Sequence, residues 1–539
     1  MEKKEVEKDI FWADQFAKSL IERKKFHYLD KEIHDRKEFI VKTSASISGV
    51  LHIGRLSDSI RGSSVFRALK EQGAKAKLIW VAEDMDPLRK IPEGVPKSYE
   101  QHIGMPVTDI PDPDGCHKTY AEHHVEEYLK VLDKFVDEPM EKFSMRQEYK
   151  KGSFKPFIKK LFEKREELVE IQNKYRTKPL KEPWSPWTPI CDNCGKIVTT
   201  QIKAIEKDKV KYVCKDYYFE ESTATGCGFE GENNPLEGKG KLLWKSEWAT
   251  EWAHWKVSAE GAGKEYQVPN SAWWVNAEIS EKILDYPAPE PIFYEHLMIE
   301  GVKMSASLGN VVYPKDWLYV ASPQLLRFLY NKRLMVTRSF SWKDLLQLYD
   351  EYDWAGKVYF GLEKEENEKE SIHLKRLYEM SNFKEIEKPL AMSFSHATVI
   401  AQLFHDKDDI VFSLEKTGHY YKKHEKEIFE RLEKANKWLT KYAPEEMKFS
   451  LQKEIPAGVE LSEKQKKAVR ILVKEVKEKN WTEKTLHKEI YEIAKGLEIE
   501  PKELFVAGYR ILLNRNRGPK LAHFILASGD KAIKLLEKV

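Results

Sequence analysis

The most constraining feature of the chain is a strand, a helix and a second strand that follow one another within residues 37–84. Residues 37–43 (KEFIVKT) and 76–84 (AKLIWVAED) have the apolar content of strands, the second of them buried on both faces. Between them, residues 55–73 carry an apolar stripe at helical spacing and end in a glycine. This βαβ unit predicts an α/β fold with a Rossmann-like, doubly wound parallel sheet. Ligands of such sheets bind at the carboxyl ends of strands, where the stretch SGVLHIGR lies.

Four of the five cysteines lie close together in the sequence. Cys191 and Cys194 have the two-residue separation of a zinc knuckle, and Cys214 and Cys227 could complete a tetrahedral site. The wider spacing of the second two leaves unliganded thiols as the alternative, whereas disulfides would need an oxidising compartment. We predict a structural Zn²⁺ at these four residues, and a structural, partly buried role for Cys116.

The remaining pattern divides the chain into further regions. The stretch that follows the βαβ unit is helical and charged, strand-like segments return after the cysteines, and beyond residue 340 the pattern is helical almost to the end. We predict an N-terminal helical extension at 1–36, the first half of the Rossmann-fold domain at 37–120, a helical and zinc-binding insertion at 121–240, the second half at 241–345, and an all-α region at 346–539.

Positive charge is concentrated at the end of the chain. Residues 461–539 contain 18 Lys and Arg against 11 Asp and Glu, a net charge of +7 in a chain whose overall charge is +3. This charge indicates either a surface that binds a polyanion or simply soluble amphipathic helices. No apolar run has the length of a membrane span, and the N-terminus lacks the apolar core of a secretory signal, so we expect a soluble, cytoplasmic protein.

Two separate stretches have residues suited to binding a nucleotide. His52 lies in a glycine-rich turn before a helix, where an imidazole can hydrogen-bond a phosphate oxygen, and Gly54 lets a base or ribose approach the backbone. A capping histidine is the simpler interpretation of this stretch alone. Residues 300–310 (EGVKMSASLGN), however, place Lys303 in a loop of small residues, which suits a mobile phosphate clamp.

The two stretches resemble the signature motifs of class I aminoacyl-tRNA synthetases, HIGR first and KMSAS second, followed by a helical region. Within that class the chain resembles the archaeal-type lysyl-tRNA synthetases, from residue 37 onward. The sequences that carry this resemblance are SGVLHIG, AEDMDPLRKIPEGVP, GMPVTDIPDPDGCHKTYAEHH, AEGAGKEY, YEHLMIEGVKMSASLGNVV and YRILLNRNRGPKLAHFI.

The resemblance implies a reaction in two steps. Lysine and ATP form lysyl-adenylate, and the lysyl group then passes to the 3′-terminal adenosine of tRNA(Lys). Positioning and charge stabilisation drive both steps, so that no protein nucleophile is needed. The resemblance assigns transition-state stabilisation to His52 and Lys303, adenosine packing to Gly54, and neutralisation of the phosphates to Mg²⁺. The ATP contacts that it implies are Gly49, His52, Gly54, Lys303, Met304, Ser305 and Ser307.

The all-α region resembles the anticodon-binding helical cage that is shared with glutamyl-tRNA synthetases. The net charge of +7 at its end then fits contact with RNA phosphates, and residues 514–520 (NRNRGPK) are the expected exposed cluster. We expect the protein to act as a monomer.

Three positions depart from the pattern of the class. The first motif ends in Arg55 where His or Asn is usual, and Ala306 replaces a lysine that many class I enzymes carry, although a small residue there is common among lysyl members. Residues 263–266 read GKEY where the lysyl family usually reads GKDH, so an acid is kept and an imidazole is lost.

A lysine substrate needs a carboxylate for its ammonium group and apolar or aromatic walls for its stem. Residues 244–252 (WKSEWATEW) offer both, and we select Glu247 with Trp244 as the best pair, with Glu265 as the competing carboxylate. Core packing is the alternative role for these aromatic residues. The further substrate contacts that the resemblance implies are Ser44, Ser46, Tyr266 and Tyr294.

Two other functions compete with this interpretation. One is a class I synthetase for another amino acid such as glutamate, which should present arginine to the substrate side chain, whereas residues 244–252 are acidic. The other is a zinc-bearing RNA-binding protein with an inactive nucleotide site, which is disfavoured because His52 and Lys303 are both present.

Overall fold

The computed structural model describes residues 10–34, 36–47, 51–91, 95–207, 209–304, 310–383 and 385–539. It divides into two compact units. The first comprises Met1–Lys315, Leu326–Phe340 and Glu366–Lys384, and the second comprises Asp316–Leu325, Ser341–Glu365 and Glu385–Val539.

The strands are β1 Phe39–Ser46, β2 Ala76–Glu83, β3 Met140–Ser144, β4 Trp187–Pro189, β5 Thr200–Glu206, β6 Lys209–Cys214, β7 Tyr217–Tyr218, β8 Thr223–Ala224, β9 Glu230–Asn233, β10 Gly240–Leu242, β11 Val257–Gly263, β12 Glu290–Tyr294, β13 Leu297–Ile299, β14 Val302–Lys303 and β15 Arg338–Phe340. The helices are α1 Trp12–Glu22, α2 Ile53–Glu71, α3 Tyr120–Phe135, α4 Met145–Lys151, α5 Lys155–Glu163, α6 Arg165–Lys174, α7 Trp244–Trp255, α8 Ala272–Lys282, α9 Pro314–Val320, α10 Pro323–Asn331, α11 Leu345–Tyr359, α12 Glu368–Ser381, α13 Phe394–Leu403, α14 Lys407–Lys416, α15 Glu425–Lys441, α16 Glu463–Glu478, α17 Glu483–Gly496, α18 Pro501–Leu513, α19 Leu521–Ser528 and α20 Asp530–Leu536.

A five-stranded sheet in the order β12-β11-β1-β2-β3 lies at the centre of the first unit. All four pairings are parallel, which confirms the predicted parallel α/β sheet. The chain winds in one direction through β1, β2 and β3 and in the other through β11 and β12. The order therefore reverses between β1 and β11, and a doubly wound sheet opens its binding crevice at that point.

The predicted βαβ unit is β1, α2 and β2. The two strands pair in register from Phe39 opposite Ala76 to Ser46 opposite Glu83, so Ser46 and Glu83 lie side by side at the carboxyl edge of the sheet. Helix α2 packs on β1 at Gly62, where an added Cβ would lie 2.4 Å from Thr43 Cγ2. Only glycine allows this close approach of helix and strand.

The structure distributes the chain somewhat differently from the predicted regions. Strand β3 belongs to the central sheet although it lies within the stretch 121–240, which was assigned to the insertion. Its sequence, MEKFS, is polar and partly exposed because β3 is an edge strand, so it lacks a buried-strand pattern. Helix α12 belongs to the first unit rather than to the all-α second unit. The predicted N-terminal extension contains α1, and its first nine residues lie outside the described part.

The cysteine-bearing residues form small antiparallel sheets, namely β4-β10, β5-β6-β9 and β7-β8. Along the chain, these strands lie between helices α6 and α7 of the first unit.

The regular elements that the structure describes in the second unit are all helices. The sequence pattern explains this locally, as in α15, where Ile428, Leu432, Ala435 and Leu439 are buried at helical spacing while lysines and glutamates face outward. Among the described residues, no helix combines the length and the apolar composition needed to cross a bilayer.

Candidate functional site

His52 is the residue that precedes α2, at the carboxyl edge of the central sheet. It caps no backbone N–H of that helix, and its Nδ1 atom is buried without a hydrogen-bond partner among the described residues. Burial and the nearby charge of Arg55 lower the pKa of His52 to about 4. The imidazole is therefore neutral at physiological pH and is available for hydrogen bonding to a phosphate.

The fold brings the two signature motifs into contact. A Cβ added at Gly54 would lie 2.8 Å from Met304 Cε and 2.9 Å from the His52 ring, so a larger residue here would force these two side chains to shift. The backbone N–H of Ile53 donates to the carbonyl of Val312, just beyond the second motif, at 2.9 Å. Gly49, Ser305 and Ser307 lie outside the described residues.

Lys303 lies beside an imidazole and a carboxylate. Its Nζ atom is 3.3 Å from His296 Nε2. His296 Nε2 is in turn 2.6 Å from Glu265 Oε2. Glu265 belongs to the GKEY segment, in which Tyr266 occupies the position of the family's usual histidine. His296 thus supplies an imidazole to this acid from a neighbouring strand end. Sequence reasoning missed His296, although it lies in the stretch YEHLMIEGVKMSASLGNVV that carried part of the resemblance.

Five carboxyl groups lie around two ammonium groups contributed by strands β1 and β10. Lys42 Nζ lies 2.7 Å from carboxylate oxygens of both Glu251 and Glu260 and 3.5 Å from Glu83. Lys241 Nζ lies 2.9 Å from Glu247 Oε2 and 3.5 Å from Asp86 Oδ1. We call this set the acidic cluster; its carboxylates are Glu83, Asp86, Glu247, Glu251 and Glu260.

The acidic cluster has more carboxyl groups than ammonium groups and is largely buried. Oxygens of Glu83, Glu247 and Glu251 all lie within 4.8 Å of one another. Burial raises the pKa of Glu83 to about 7 and the pKa of Glu251 well above its usual range. Within the described part of the chain, no hydrogen-bond donor contacts Oε1 of Glu251. The cluster would therefore gain stability from an additional cation.

Two of the predicted substrate contacts meet at this cluster. The Ser46 hydroxyl donates to Asp86 at 3.0 Å, and Asp86 is the second partner of Lys241. Glu247 also accepts a hydrogen bond from the Tyr149 hydroxyl at 2.5 Å and is only 1% exposed. The side chain of Lys241 is more accessible than that of Glu247, at 16% against 1%.

The predicted aromatic residues lie beside the cluster. Trp244 is 36% exposed and stacks on Trp248 at 4.7 Å, and Tyr266 makes an edge contact with Trp248 at 5.2 Å. The indole N–H groups of Trp248 and Trp252 both donate to Glu260 Oε2. These rings therefore combine core packing with a partly exposed wall at Trp244.

Tyr294 and Ser44 lie around a separate buried acid. The Ser44 backbone N–H donates to Asp58 Oδ2 at 3.0 Å, and burial raises the pKa of Asp58 to about 7. The Arg61 guanidinium lies 4.3 Å from the centre of the Tyr294 ring. Sequence reasoning missed Asp58 and Arg61, because on α2 they read as ordinary helix-surface charges.

The four predicted zinc ligands converge. The sulfur atoms of Cys191 and Cys227, and those of Cys194 and Cys214, are each 3.6 Å apart, and all four lie within 4.8 Å of one another. Tetrahedral zinc with Zn–S bonds of about 2.3 Å would hold its sulfurs roughly 3.8 Å apart. The donor set and its spacing therefore fit zinc.

Asp112, Cys116, His117 and His123 form a second cluster of metal-ligand type. Cys116 Sγ is 3.1 Å from Nδ1 of both His117 and His123 and 3.2 Å from Asp112 Oδ2. One thiolate, two imidazoles and a carboxylate form a set that suits zinc. Cys116 was predicted to be a structural residue. The neighbouring Cys and His in the stretch DPDGCHKTYAEHH were the sequence signal for this cluster.

Comparison with known proteins shows the family to which this chain is related. A family model described as tRNA synthetases class I (K) matches residues 10–384. A lysine–tRNA ligase of Methanocaldococcus jannaschii is 32% identical over 96% of this chain and 98% of its own length. A lysine–tRNA ligase of Pyrococcus horikoshii is 33% identical over 97% of this chain and 98% of its own length. The contact between the HIGR and KMSAS motifs and the extent of these matches lead to one conclusion: the chain belongs to the class I tRNA synthetases of the K family.

Proposed function

We propose that this chain is a lysine–tRNA ligase that activates lysine with ATP and transfers it to tRNA(Lys). The observation that carries the proposal is the excess of buried carboxylates in the acidic cluster, at the strand ends that lead into the first signature motif. The relatives named above bear the same activity in their names.

The charge of the acidic cluster favours lysine over glutamate. Its five carboxyl groups outnumber its two ammonium groups, so the side-chain ammonium of a bound lysine would favour the ionised form of a carboxyl group that burial otherwise keeps protonated. A glutamate substrate would add another carboxylate to a site in which carboxyl groups already outnumber ammonium groups. Among the described residues of the cluster, no arginine is available to pair with it.

In the first step the lysine carboxylate attacks the α-phosphate of ATP, and the bond to pyrophosphate breaks. Neutral His52 donates a hydrogen bond to a phosphate oxygen, and Lys303 follows the charge that develops on the leaving pyrophosphate. His296 contacts the ammonium of Lys303, and Glu265 in turn contacts His296. Mg²⁺, when bound with ATP, supplies further neutralisation of the phosphates.

The direct test is ATP–pyrophosphate exchange with each of the twenty amino acids, with and without tRNA(Lys). We expect exchange with lysine and, when tRNA(Lys) is present, attachment of lysine to its 3′ end. Exchange supported by glutamate instead of lysine would replace this proposal with the glutamate alternative. Absence of exchange with every amino acid would favour an RNA-binding protein with an inactive site.

Metal content gives a separate prediction. We expect freshly purified, reduced protein to contain two equivalents of zinc, one at the four cysteines and one at the Asp112 cluster. Cys191→Ser should remove one equivalent and destabilise the small sheets, because a structural zinc site contributes its binding energy to folding. His123→Ala should remove the other equivalent independently. Elemental analysis checks both; an unchanged zinc content in either variant excludes that cluster as a zinc site.

The second unit is proposed to bind the anticodon region of tRNA(Lys). Its helices carry the positively charged end of the chain, and the loop 514–520 is exposed, as expected for contact with RNA phosphates. That the protein acts as a monomer in the cytoplasm stays a prediction.

A further inference from the structure

A cavity of about 800 Å³ in the first unit lies apart from the signature motifs. Residues near the beginnings of β1, β2, β3 and β11 line it, whereas His52 lies beyond the other end of β1. Strand β1 has eight residues, so at roughly 3.3 Å per residue its two ends are about 25 Å apart. The cavity is therefore at the amino edge of the central sheet, and neither signature motif explains it.

Part of the lining is apolar and aromatic. Ile40 and Ile79 are buried there, and the ring centres of Phe143 and Trp255 are 5.3 Å apart. Trp255 is half-buried, and its indole nitrogen Nε1 is enclosed without a hydrogen-bond acceptor among the described residues. Apolar and aromatic walls with a few polar groups are the usual lining of a small-molecule site.

Arg36 adds an uncompensated charge to the lining. Both terminal nitrogens of its guanidinium are buried, and neither has a hydrogen-bond partner in the described part of the chain. Burial lowers the pKa of Arg36, although an arginine stays charged. Glu290 is near enough to raise that pKa, but its carboxylate already pairs with Arg23 and His27, at 3.0 and 3.1 Å. A desolvated charge without a partner is unfavourable, so an oxyanion that pairs with Arg36 would stabilise it.

Three acidic groups of the lining are each matched by a lysine. The pairs are Asp285 with Lys31, Glu38 with Lys75 and Glu141 with Lys77, at 2.6, 3.6 and 3.2 Å. The charge of these acids is thus compensated before any ligand binds.

The remaining charged groups of the lining are mostly positive. Lys37 and Lys256 are exposed, and like Arg36 they form no ion pair with a residue that the structure describes. Glu32, an exposed acid, opposes these three cations. Burial lowers the pKa of His254, which keeps that imidazole neutral at physiological pH. The lining therefore favours an anionic ligand.

We propose that this cavity binds a small organic anion with a planar ring, its phosphate or carboxylate group at Arg36 and its ring against Trp255. The planar fork of a guanidinium matches two oxygens of either group. Since no hydrogen bond to a described residue holds the terminal nitrogens of Arg36, a change of rotamer can turn them toward the anion. Lys37 and Lys256 attract the anion from solvent. The proposal does not depend on which amino acid the chain activates.

Isothermal titration calorimetry of the full chain tests the site with three anions: phenyl phosphate, benzoate and inorganic phosphate. We expect phenyl phosphate to bind more tightly than inorganic phosphate, because only phenyl phosphate has a ring for Trp255. Binding of benzoate in place of phenyl phosphate would identify the anionic group as a carboxylate. The ring-bearing anion that binds more tightly is then used with the variants. Binding of neither ring-bearing anion would overturn the proposal.

The variant Arg36→Met keeps a long, unbranched side chain and removes the charge. It should weaken binding of the ring-bearing anion about 10- to 150-fold, the range for one charge-assisted contact. Arg165→Met is the matched control, because Arg165 belongs to the same unit, pairs with Glu182 at 3.3 Å and does not line the cavity. Lys303→Ala should also leave this binding unchanged. Loss of binding in Lys303→Ala but not in Arg36→Met would place the anion at the signature motifs and overturn the proposal.

The melting temperature distinguishes a binding role of Arg36 from a structural one. Because its buried charge has no partner among the described residues, Arg36→Met should melt at the wild-type temperature or above it. The ring-bearing anion should raise the melting temperature of the wild type more than that of Arg36→Met. A variant that melts lower than the wild type, with an unchanged shift by the anion, would show that Arg36 supports the fold instead.

The ring contact is tested by comparing two affinities. Trp255→Leu should lower the affinity for the ring-bearing anion about 2- to 10-fold, the range for one aromatic contact, and leave the affinity for inorganic phosphate unchanged. Trp255→Phe should retain both affinities, because a smaller ring still makes the contact. An equal loss for both anions in Trp255→Leu, or no loss for either, would contradict a ring at Trp255.

Discussion

Replacing Lys303 with alanine is expected to slow lysyl-adenylate formation about 100-fold, because it removes a charged contact that strengthens as pyrophosphate leaves. His52→Ala should cause a loss of similar size by removing a neutral hydrogen bond. Steady-state ATP–pyrophosphate exchange measures both effects. Lys134→Ala, which changes an exposed lysine on α3, is the control and should leave the rate unchanged.

The pH dependence of the His52 variant distinguishes a neutral from a charged role. Since burial and Arg55 hold the pKa of His52 at about 4, the folded protein keeps this imidazole neutral throughout the range from about pH 6 to pH 8. The penalty of His52→Ala should therefore be the same at both ends of this range. A penalty that grows as the pH falls toward 6 would show that a protonated His52 takes part, and an activity near wild type would remove the residue from the mechanism.

Replacing Glu247 with glutamine is expected to raise the Michaelis constant for lysine roughly 10- to 150-fold, which corresponds to about 1.5–3 kcal/mol for one charge-assisted contact. Glutamine keeps the shape and a hydrogen-bond acceptor for Tyr149 but removes the charge that pairs with Lys241. The Michaelis constant for ATP should hardly change, because the nucleotide lies at the two signature motifs. Both constants are measured in the same exchange assay.

Two further variants and a control identify which carboxylate binds the ammonium group of lysine. Glu83→Gln tests a more accessible acid of the cluster, and Glu265→Gln tests the competing acid beside His296. Glu278→Gln is the matched control, because Glu278 is equally buried and ion-paired, with Lys174 and Lys282, but lies on α8 outside the cluster. A lysine defect confined to Glu265→Gln would move the ammonium site there. If the Glu247, Glu83 and Glu265 variants all keep the wild-type Michaelis constant for lysine, the aromatic wall at Trp244 remains as the explanation of lysine binding.

The sequence alone determined the features that depend on local pattern. Apolar content and helical spacing identified β1, α2 and β2, and the parallel sheet followed because a βαβ connection has one favoured geometry. The HIGR and KMSAS stretches are short and contiguous, so their resemblance indicated the family that the comparisons confirm. The edge strand β3 was assigned to the insertion because a half-exposed strand lacks a diagnostic apolar run.

Only the tertiary structure decided which distant side chains share one environment. His296 meets Glu265 and Lys303 across separate segments, and Asp86, Lys241 and Glu247 form one linked group. Asp86, Lys241 and His296 have ordinary sequence contexts, and no periodicity in the sequence marks their partners. Their energies depend on burial and on separations of a few ångströms, since a charge that is weakly coupled in water interacts strongly in a desolvated site. Spacing along the chain carries no information about that desolvation, which arises only when the sheet, helix α7 and the strand ends pack together.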